Sequence, residues 1–240
     1  MLHTVKKIIP NTLTSCNLIS GCIATNYALA GNIKIALLWI VIGAVFDFFD
    51  GMSARLLHVS SPIGKELDSL ADDITFGLAP SAIVFFELQV VEYPAALHSF
   101  TAYIPYLAFI MAAFSALRLA KFNLDERQSM GFIGLPTPAN ALFWGSFVIG
   151  YSDWIENSLW ALPMLMCLVC ISCFLLVSEI PMFALKFKHW GWAENRLKYI
   201  FILCCIPILF LCGVAGIALV IVWYILLSIW KTMLDKSRKI

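Results

Sequence analysis

Charged residues are scarce in this sequence: only 13% of its 240 residues are Asp, Glu, Lys or Arg, while 61% are hydrophobic. Soluble domains carry about 25% charged and about 45–50% apolar residues, so this chain has too few polar groups to cover a water-facing surface. The net charge of +1 lacks the basic excess that nucleic-acid binding needs, so we expect no nucleic-acid partner. The composition excludes an ordinary soluble domain and favours a protein whose solvent is the lipid bilayer.

Apolar runs of the length that a membrane-spanning helix needs, roughly 20 residues each, recur along the whole chain. We predict an all-α fold, a polytopic membrane helix bundle of about eight transmembrane helices, in a single integral membrane domain over 1–240. The core is predicted over about 8–178, and a C-terminal helical hairpin over about 198–231. The predicted spans are about 11–31, 34–57, 68–91, 98–120, 136–152, 158–178, 198–212 and 214–231.

Lys and Arg residues fall in every second loop of this arrangement. In membrane proteins these residues accumulate in the loops on the cytoplasmic side. The loops around Glu92 and Asp153 contain none, and only Lys34 lies on that side. The pattern predicts that both termini face the cytoplasm at a cell (inner) membrane, in contact with membrane lipids. The basic residues on the cytoplasmic side include Lys6, Lys7, Arg55, Lys65, Arg118, Lys121, Arg127, Lys186, Lys188, Arg196, Lys198, Lys231, Lys236, Arg238 and Lys239.

The eight cysteines all lie in apolar stretches, where cysteine acts as a small buried hydrophobe. Cys167, Cys170 and Cys173 are spaced closely enough to suggest a metal, but no histidine completes a set of ligands. We therefore interpret the cysteines as packing residues.

Aspartates are concentrated at or near the ends of the second and third predicted spans. Carboxylates inside a membrane are costly and usually mark function. Residues three or four apart share a helix face, so Asp47 and Asp50 form one acidic stripe and Asp68 and Asp72 form another. A turn at 60–62 is predicted to fold the two stripes against each other. Asp73 lies off this face, and we interpret it as a helix-surface residue.

Four facing carboxylates repel each other unless cations lie among them. Mg²⁺ and Mn²⁺ take oxygen ligands, and two such ions can hold the attacking and leaving oxygens of a phosphoryl displacement. Gly51, Ala54 and Gly64 remove bulk from the acidic faces, and Arg55 adds a cation suited to phosphate oxygens. The pattern predicts a site that handles a phosphorylated ligand with two divalent ions, either Mg²⁺ or Mn²⁺.

The segment 47–72 resembles the signature of the CDP-alcohol phosphotransferase family without a departure. The resemblance implies a six-helix catalytic core, a homodimer, and an active site at the cytoplasmic membrane surface. There a hydroxyl would attack the phosphorus of a CDP-activated lipid and release CMP. It also implies that Asp72 is the general base as well as a metal ligand. The implied metal ligands are Asp47, Asp50, Asp68 and Asp72, and the implied CDP-lipid-binding residues are Gly51, Ala54, Arg55 and Gly64.

Segments 9–14, 117–123 and 131–139 resemble the branch of this family that joins CDP-diacylglycerol to L-serine, although Lys121 stands where an arginine is expected. Serine is a zwitterion, so Arg118 and Asn123 are predicted to bind the acceptor. Snorkelling toward lipid headgroups is the alternative for Arg118 and Lys121. Glycerol 3-phosphate or an inositol phosphate stays open as acceptor, with Arg127 adding to a basic cluster. A second class, an ion transporter lined by buried acids, also stays open.

Overall fold

The computed structural model describes residues 2–59, 61–125, 132–183 and 191–237, and within them the chain is almost entirely helical. A π-helical segment, Asp73–Leu78, joins α3 to α4 without a break, and two 3₁₀ segments, Ala95–Phe100 and Ile104–Phe109, precede α5. The α-helices are α1 (Leu2–Leu29), α2 (Ile33–Leu56), α3 (Pro62–Asp72), α4 (Ala79–Val90), α5 (Ile110–Leu124), α6 (Thr137–Asn157), α7 (Ala161–Val177), α8 (Trp192–Cys212) and α9 (Ala215–Ser237).

The predicted all-α polytopic membrane bundle is confirmed. Among the described residues, five helical stretches are long and apolar enough to cross a membrane. The α7 helix is apolar but shorter, and α1 and α6 do not meet the same criteria. The count of about eight spans therefore stays a prediction. The five stretches are Ile33–Leu56, Pro62–Val90, Ile104–Leu124, Asn195–Cys212 and Ala215–Leu234.

Local capping explains where the helices that carry the aspartates begin. Gly31, with φ of 77°, turns the chain out of α1, and the Asn32 side chain accepts a hydrogen bond from the Ile35 amide to start α2. Ser61 caps α3, accepting a 2.9 Å hydrogen bond from the Gly64 amide, and Pro62 occupies the first turn. α1 and α2 pack along each other, and α3 packs on α1. These contacts hold the end of α2 beside α3.

The third predicted span begins earlier than expected and changes its winding midway. It was predicted from residue 68, but the helix starts at Pro62, so that Asp68 and Asp72 lie within it. The π-helical segment follows Asp72 directly and buries Thr75, Phe76 and Gly77. π-helical turns inside helices are often found at functional sites. The hydrophobic pattern carried no signal of this change.

Two further features differ from the prediction. The fourth span was predicted as a helix over 98–120, but its first half is 3₁₀, and α5 begins only at Ile110. Pro105 lies in that segment and has no amide hydrogen to donate. A short antiparallel pair, β1 (Phe132–Ile133) with β2 (Pro181–Met182), was not predicted. Five basic residues of the charge pattern lie outside the described residues, namely Arg127, Lys186, Lys188, Arg238 and Lys239.

Candidate active site

Three of the four predicted metal ligands meet between α2 and α3. Asp47, Asp50 and Asp68 each offer a carboxylate oxygen, and these oxygens lie within 4.8 Å of one another. Asp50 is buried, while Asp47 and Asp68 are partly buried. The predicted fold-back of two acidic helix faces is therefore what the structure shows. Oxygen-only ligands this close together fit a hard divalent cation such as Mg²⁺ or Mn²⁺.

Asp72 lies one turn beyond Asp68 and joins the same group from the side of the bundle interior. Its carboxyl group lies close enough to that of Asp47 for the two to interact. The Asn17 side-chain amide donates a 3.1 Å hydrogen bond to Asp72 Oδ1. The hydrogen bond from Asn17 thus orients the Asp72 carboxyl group.

Helix α1 supplies two site residues that sequence reasoning did not assign. The Thr14 hydroxyl donates a 2.6 Å hydrogen bond to Asp50 Oδ2, and Asn17 contacts Asp72 as described above. Both side chains are buried, and the backbone carbonyl oxygen of Asn17 accepts a 3.0 Å hydrogen bond from the Thr75 hydroxyl in the π-helical segment. The signal was present in the sequence, because polar residues at 11, 14 and 17 recur at intervals of three on one helix face.

A cavity of about 250 Å³ opens beside the carboxylates. A side chain at Gly51 would extend into open space, whereas at Gly64 it would approach Ser61 Oγ and Asn11 Oδ1 to 3.0 and 3.1 Å. Small residues therefore leave this volume free for a ligand. The lining residues are Lys7, Pro10, Asn11, Thr14, Asp50, Gly51, Ala54, Val59, Ser61, Gly64, Lys65 and Asp68.

The basic residues of this cavity differ from the prediction. Arg55, predicted to bind the CDP group, is exposed and is not among the described residues that line the cavity. Lys7 and Lys65 line it instead, and Lys65 Nζ donates a 2.9 Å hydrogen bond to the Asn123 carbonyl oxygen. Ammonium groups can neutralise phosphate oxygens as point charges. The cavity is consequently lined by charges of both signs, with Asp50 and Asp68 as carboxylates and Lys7 and Lys65 as cations.

The two predicted acceptor ligands occupy different surroundings. Arg118 is 7% exposed, lies close enough to Asp72 to interact with its charge, and donates a 3.3 Å hydrogen bond to Thr137 Oγ1. The snorkelling alternative does not fit a guanidinium so deeply buried. Asn123, by contrast, uses its side-chain amide to donate a 2.8 Å hydrogen bond to Ser69 Oγ, which ties α5 to α3.

Arg118 also lines a second cavity, of about 380 Å³. Its lining carries charges of both signs, because Lys121 contributes a cation while Asp125 and Glu179 contribute carboxylates. The remaining lining residues are Leu124, Ile133, Leu176, Val177 and Ser178. Gly51, Ala54 and Gly64 thus line one cavity and Arg118 lines another, while Arg55 and Asn123 are not among the described residues that line either.

The interpretation of Asp73 as a helix-surface residue was wrong. Its Oδ1 atom is buried and has no hydrogen-bond partner among the described residues. The atom lies 2.7 Å from the place where a Gly77 side chain would begin, inside the bundle. The π-helical segment that begins at Asp73 could not be anticipated from a regular helical wheel.

Apolar membrane helices, a group of carboxylates and a cavity beside them that is lined by two lysines define an integral membrane protein whose site suits a phosphorylated ligand. Residues 7–151 match the sequence profile of the family described as CDP-alcohol phosphatidyltransferase. Because the match covers more than half of the chain, the protein belongs to this family. The resemblance carried by residues 47–72 is confirmed.

Several curated relatives share one name, CDP-diacylglycerol–serine O-phosphatidyltransferase. The Bacillus subtilis protein is 40% identical over 134 residues, which are 54% of this chain and 69% of that protein. The Methanocaldococcus jannaschii protein is 32% identical over 163 residues, 67% of this chain and 71% of that protein. The Helicobacter pylori protein (strain 26695) is 34% identical over 137 residues, 56% of this chain and 54% of that protein. The matched stretches thus span from about half to about 70% of these relatives.

Proposed function

We propose that this protein joins CDP-diacylglycerol and L-serine to give phosphatidylserine and CMP. The observation that carries the proposal is the meeting of Asp47, Asp50 and Asp68 oxygens within 4.8 Å at the end of a cavity lined by Gly51 and Gly64. Membership of the family and the shared name of several relatives support the same chemistry.

Asp47, Asp50, Asp68 and Asp72 would hold two divalent ions, Mg²⁺ or Mn²⁺. The donor set fits, since only carboxylate oxygens meet here and their mutual repulsion needs a positive partner. When bound, such ions supply electrostatic stabilisation of the diphosphate and of CMP as it leaves.

The residues around the 250 Å³ cavity would bind the CDP group of the lipid. Gly51, Ala54 and Gly64 have small or no side chains, so that the nucleotide can approach the backbone of α2 and α3. Lys7 and Lys65 offer ammonium groups to the diphosphate oxygens. Arg55, exposed next to this cavity, stays a predicted CDP-binding residue.

Asp72 would act as the general base. The acceptor hydroxyl oxygen forms a bond to the phosphorus that carries the diacylglycerol, while its proton moves to an Asp72 carboxylate oxygen. The bond from that phosphorus to the bridging oxygen breaks, and CMP departs with the electron pair. The hydrogen bond from Asn17 holds the Asp72 carboxylate in one orientation during this transfer.

Serine is favoured over a phosphorylated acceptor by the charges around Arg118. The second cavity has Arg118 and Lys121 beside Asp125 and Glu179, and a zwitterion suits such mixed charges better than a dianionic phosphate does. Glycerol 3-phosphate or an inositol phosphate is the second candidate, since two cations do lie there. Asn123, engaged with Ser69, stays a predicted acceptor residue. A transporter is disfavoured, because the acids gather at one end of the helices that carry them.

The active site and both termini would face the cytoplasm of the cell (inner) membrane, because Lys and Arg accumulate in the loops on that side. We also propose a homodimer, which the resemblance to the family implies.

The test is CMP release from CDP-diacylglycerol by the purified protein, with Mn²⁺ or Mg²⁺ and with each acceptor offered alone. We expect release that requires both the metal and serine. Release with glycerol 3-phosphate or an inositol phosphate, but not with serine, would move the protein to the second candidate. If no acceptor supports metal-dependent release, the enzymatic proposal is rejected and the ion-transporter alternative is favoured.

A further inference from the structure

Where the π-helical segment packs against α5 and α6, several buried polar atoms have no hydrogen-bond partner among the described residues. They are Asp73 Oδ1, Ser115 Oγ, Arg118 Nε, and both side-chain polar atoms of Asn140. Ser115 and Asn140 are fully buried, and Arg118 is 7% exposed. Leaving such groups unpaired in an apolar bundle is costly, so a set of them indicates a bound partner.

The π-helical segment brings the first two of these groups together. A side chain at Gly77 would begin 2.7 Å from Asp73 Oδ1, 2.9 Å from Ser115 Cβ and 3.4 Å from Ser115 Oγ. Asp73 and Ser115 therefore face each other across the bare Cα of Gly77. Any larger residue there would fill the gap between them.

Two helix faces connect the other members of the polar set. Ser115 and Arg118 are three residues apart on α5 and so share one face. Arg118 donates to Thr137 at the start of α6, and Asn140 follows Thr137 by three residues on that helix. Arg118 also lines the 380 Å³ cavity, so this cavity reaches one member of the set. We call Asp73, Ser115, Arg118 and Asn140 the polar chamber.

The polar chamber contains one carboxylate and one guanidinium, besides neutral hydrogen-bonding groups. An α-amino acid carries the complementary pair, an ammonium group and a carboxylate. A phosphate monoester would be repelled by Asp73, and a lipid tail would leave every polar atom unpaired. The adjacent Asp72 is where the acceptor hydroxyl must lose its proton.

We propose that the polar chamber binds the amino-acid end of the acceptor, with Arg118 contacting the carboxylate and Asp73 Oδ1 accepting from the ammonium group. Ser115 and Asn140 complete the hydrogen bonds to the same two groups. The inference deepens the proposed function and rests on it. It makes Asp73, which lies outside the family signature, a residue that determines acceptor specificity.

Equilibrium binding of radiolabelled L-serine to the purified full-length protein, with Mn²⁺ and CMP present, tests the chamber without turnover. Two competitors divide serine into its parts: ethanolamine keeps the ammonium group, and 3-hydroxypropionate keeps the carboxylate. Asp73→Asn and Ser115→Ala are the test variants. Asp153→Asn, an exposed aspartate, and Ser146→Ala, a buried serine whose hydroxyl already donates to Leu142 O at 2.6 Å, are the matched controls.

We expect Asp73→Asn to weaken serine and ethanolamine on the order of 10- to 100-fold, as loss of a hydrogen bond to a charged group does. The same variant should leave competition by 3-hydroxypropionate and the affinity for CMP within about twofold. Ser115→Ala should weaken serine by about threefold to tenfold, and the controls should leave it unchanged. The retained CMP affinity shows that the variant is folded.

The proposal is wrong if Asp73→Asn binds serine as tightly as the unmodified protein does. The polar atoms of the chamber would then bind water and not the amino acid. An equal loss of ethanolamine and 3-hydroxypropionate would also overturn the proposal. If the unmodified protein releases CMP with serine, either result rejects serine binding by the polar chamber and leaves the proposed function standing. If it binds no serine and releases CMP only with a phosphorylated acceptor, the proposed function fails first and the chamber with it.

Discussion

Among the described residues, the helices α1–α4, which include those that carry the aspartates, bury more polar side chains than the two C-terminal helices do. In α1–α4 the interior holds buried polar side chains, among them Thr14, Asn17 and Asp50. In α8 and α9 large apolar side chains point outward, with Phe210 89% and Leu211 79% exposed. Polar groups inside a membrane are costly unless they serve chemistry, whereas outward apolar groups suit lipid. The first region is shaped by a reaction, and the second by the bilayer.

The contrast follows the chain as well as the function. The family match ends at residue 151, before the C-terminal hairpin begins. α9 nonetheless packs on α6, and Gly150 leaves room for Ala215 at their contact. The hairpin is joined to the catalytic region through α6 without supplying any of the residues that we place in the site. Substitutions in the two regions should therefore differ greatly in their effect on turnover.

The largest effect is expected from Asp72→Asn. The amide cannot accept the hydroxyl proton, so the rate of CMP release should fall on the order of 10³-fold or more, near the upper part of the range for a general base. Binding of CMP, followed by equilibrium dialysis of the purified protein, should stay within a few-fold. Turnover at the unmodified rate would remove the base assignment.

A smaller but still large effect is expected from Asp68→Asn. Removing one of the clustered carboxylates should weaken Mn²⁺ binding by more than about 100-fold, since loss of even an outer partner of a ligand costs about 10- to 100-fold. Electron paramagnetic resonance of Mn²⁺ titrated into the purified protein measures the affinity directly. Asp153→Asn is the matched control, and equal affinities in the two variants would contradict the metal site.

An intermediate effect is expected from Asn17→Ala, which removes the hydrogen bond to Asp72 Oδ1 but no proposed metal or substrate ligand. We expect kcat to fall about tenfold while KM for both substrates changes less than twofold, because the substitution disturbs only the orientation of the base. Asn26→Ala, an exposed asparagine on the same helix, is the control. A raised KM with unchanged kcat would indicate that Asn17 binds substrate instead.

Period and composition were enough to predict the membrane class, and spacing was enough to bring Asp47 and Asp50 opposite Asp68. These succeed because the face of a regular helix follows directly from residue number. The surroundings of Asp73 and the presence of Lys7 in the cavity were not predicted, for two different reasons. A π-helical segment changes the winding after Asp72, and the tertiary position of α1 decides that Lys7, rather than Arg55, lines the cavity. The position of the π-helical segment and the placement of α1 against the cavity both depend on tertiary packing, which helical spacing does not reveal.

The smallest effects should come from residues that face lipid, and here the cysteines sharpen the comparison. They were predicted to be buried packing residues, and Cys173 is buried, but Cys22, Cys167, Cys170 and Cys212 are exposed. An exposed apolar side chain in a membrane helix keeps its lipid surroundings after a small substitution. Such changes alter the free energy of unfolding by about 0.5 kcal/mol or less.

Cys170→Ser and Phe210→Ala should therefore leave kcat and both KM values within about twofold, and the detergent-solubilised variants should unfold within a few degrees of the unmodified protein. CMP release and thermal unfolding measured on the same preparations test this. A large loss of activity in Cys170→Ser would show that a thiol on α7 takes part in the site. A large loss in Phe210→Ala would show that the hairpin shapes the reaction from outside the family match, which would remove the division between the two regions.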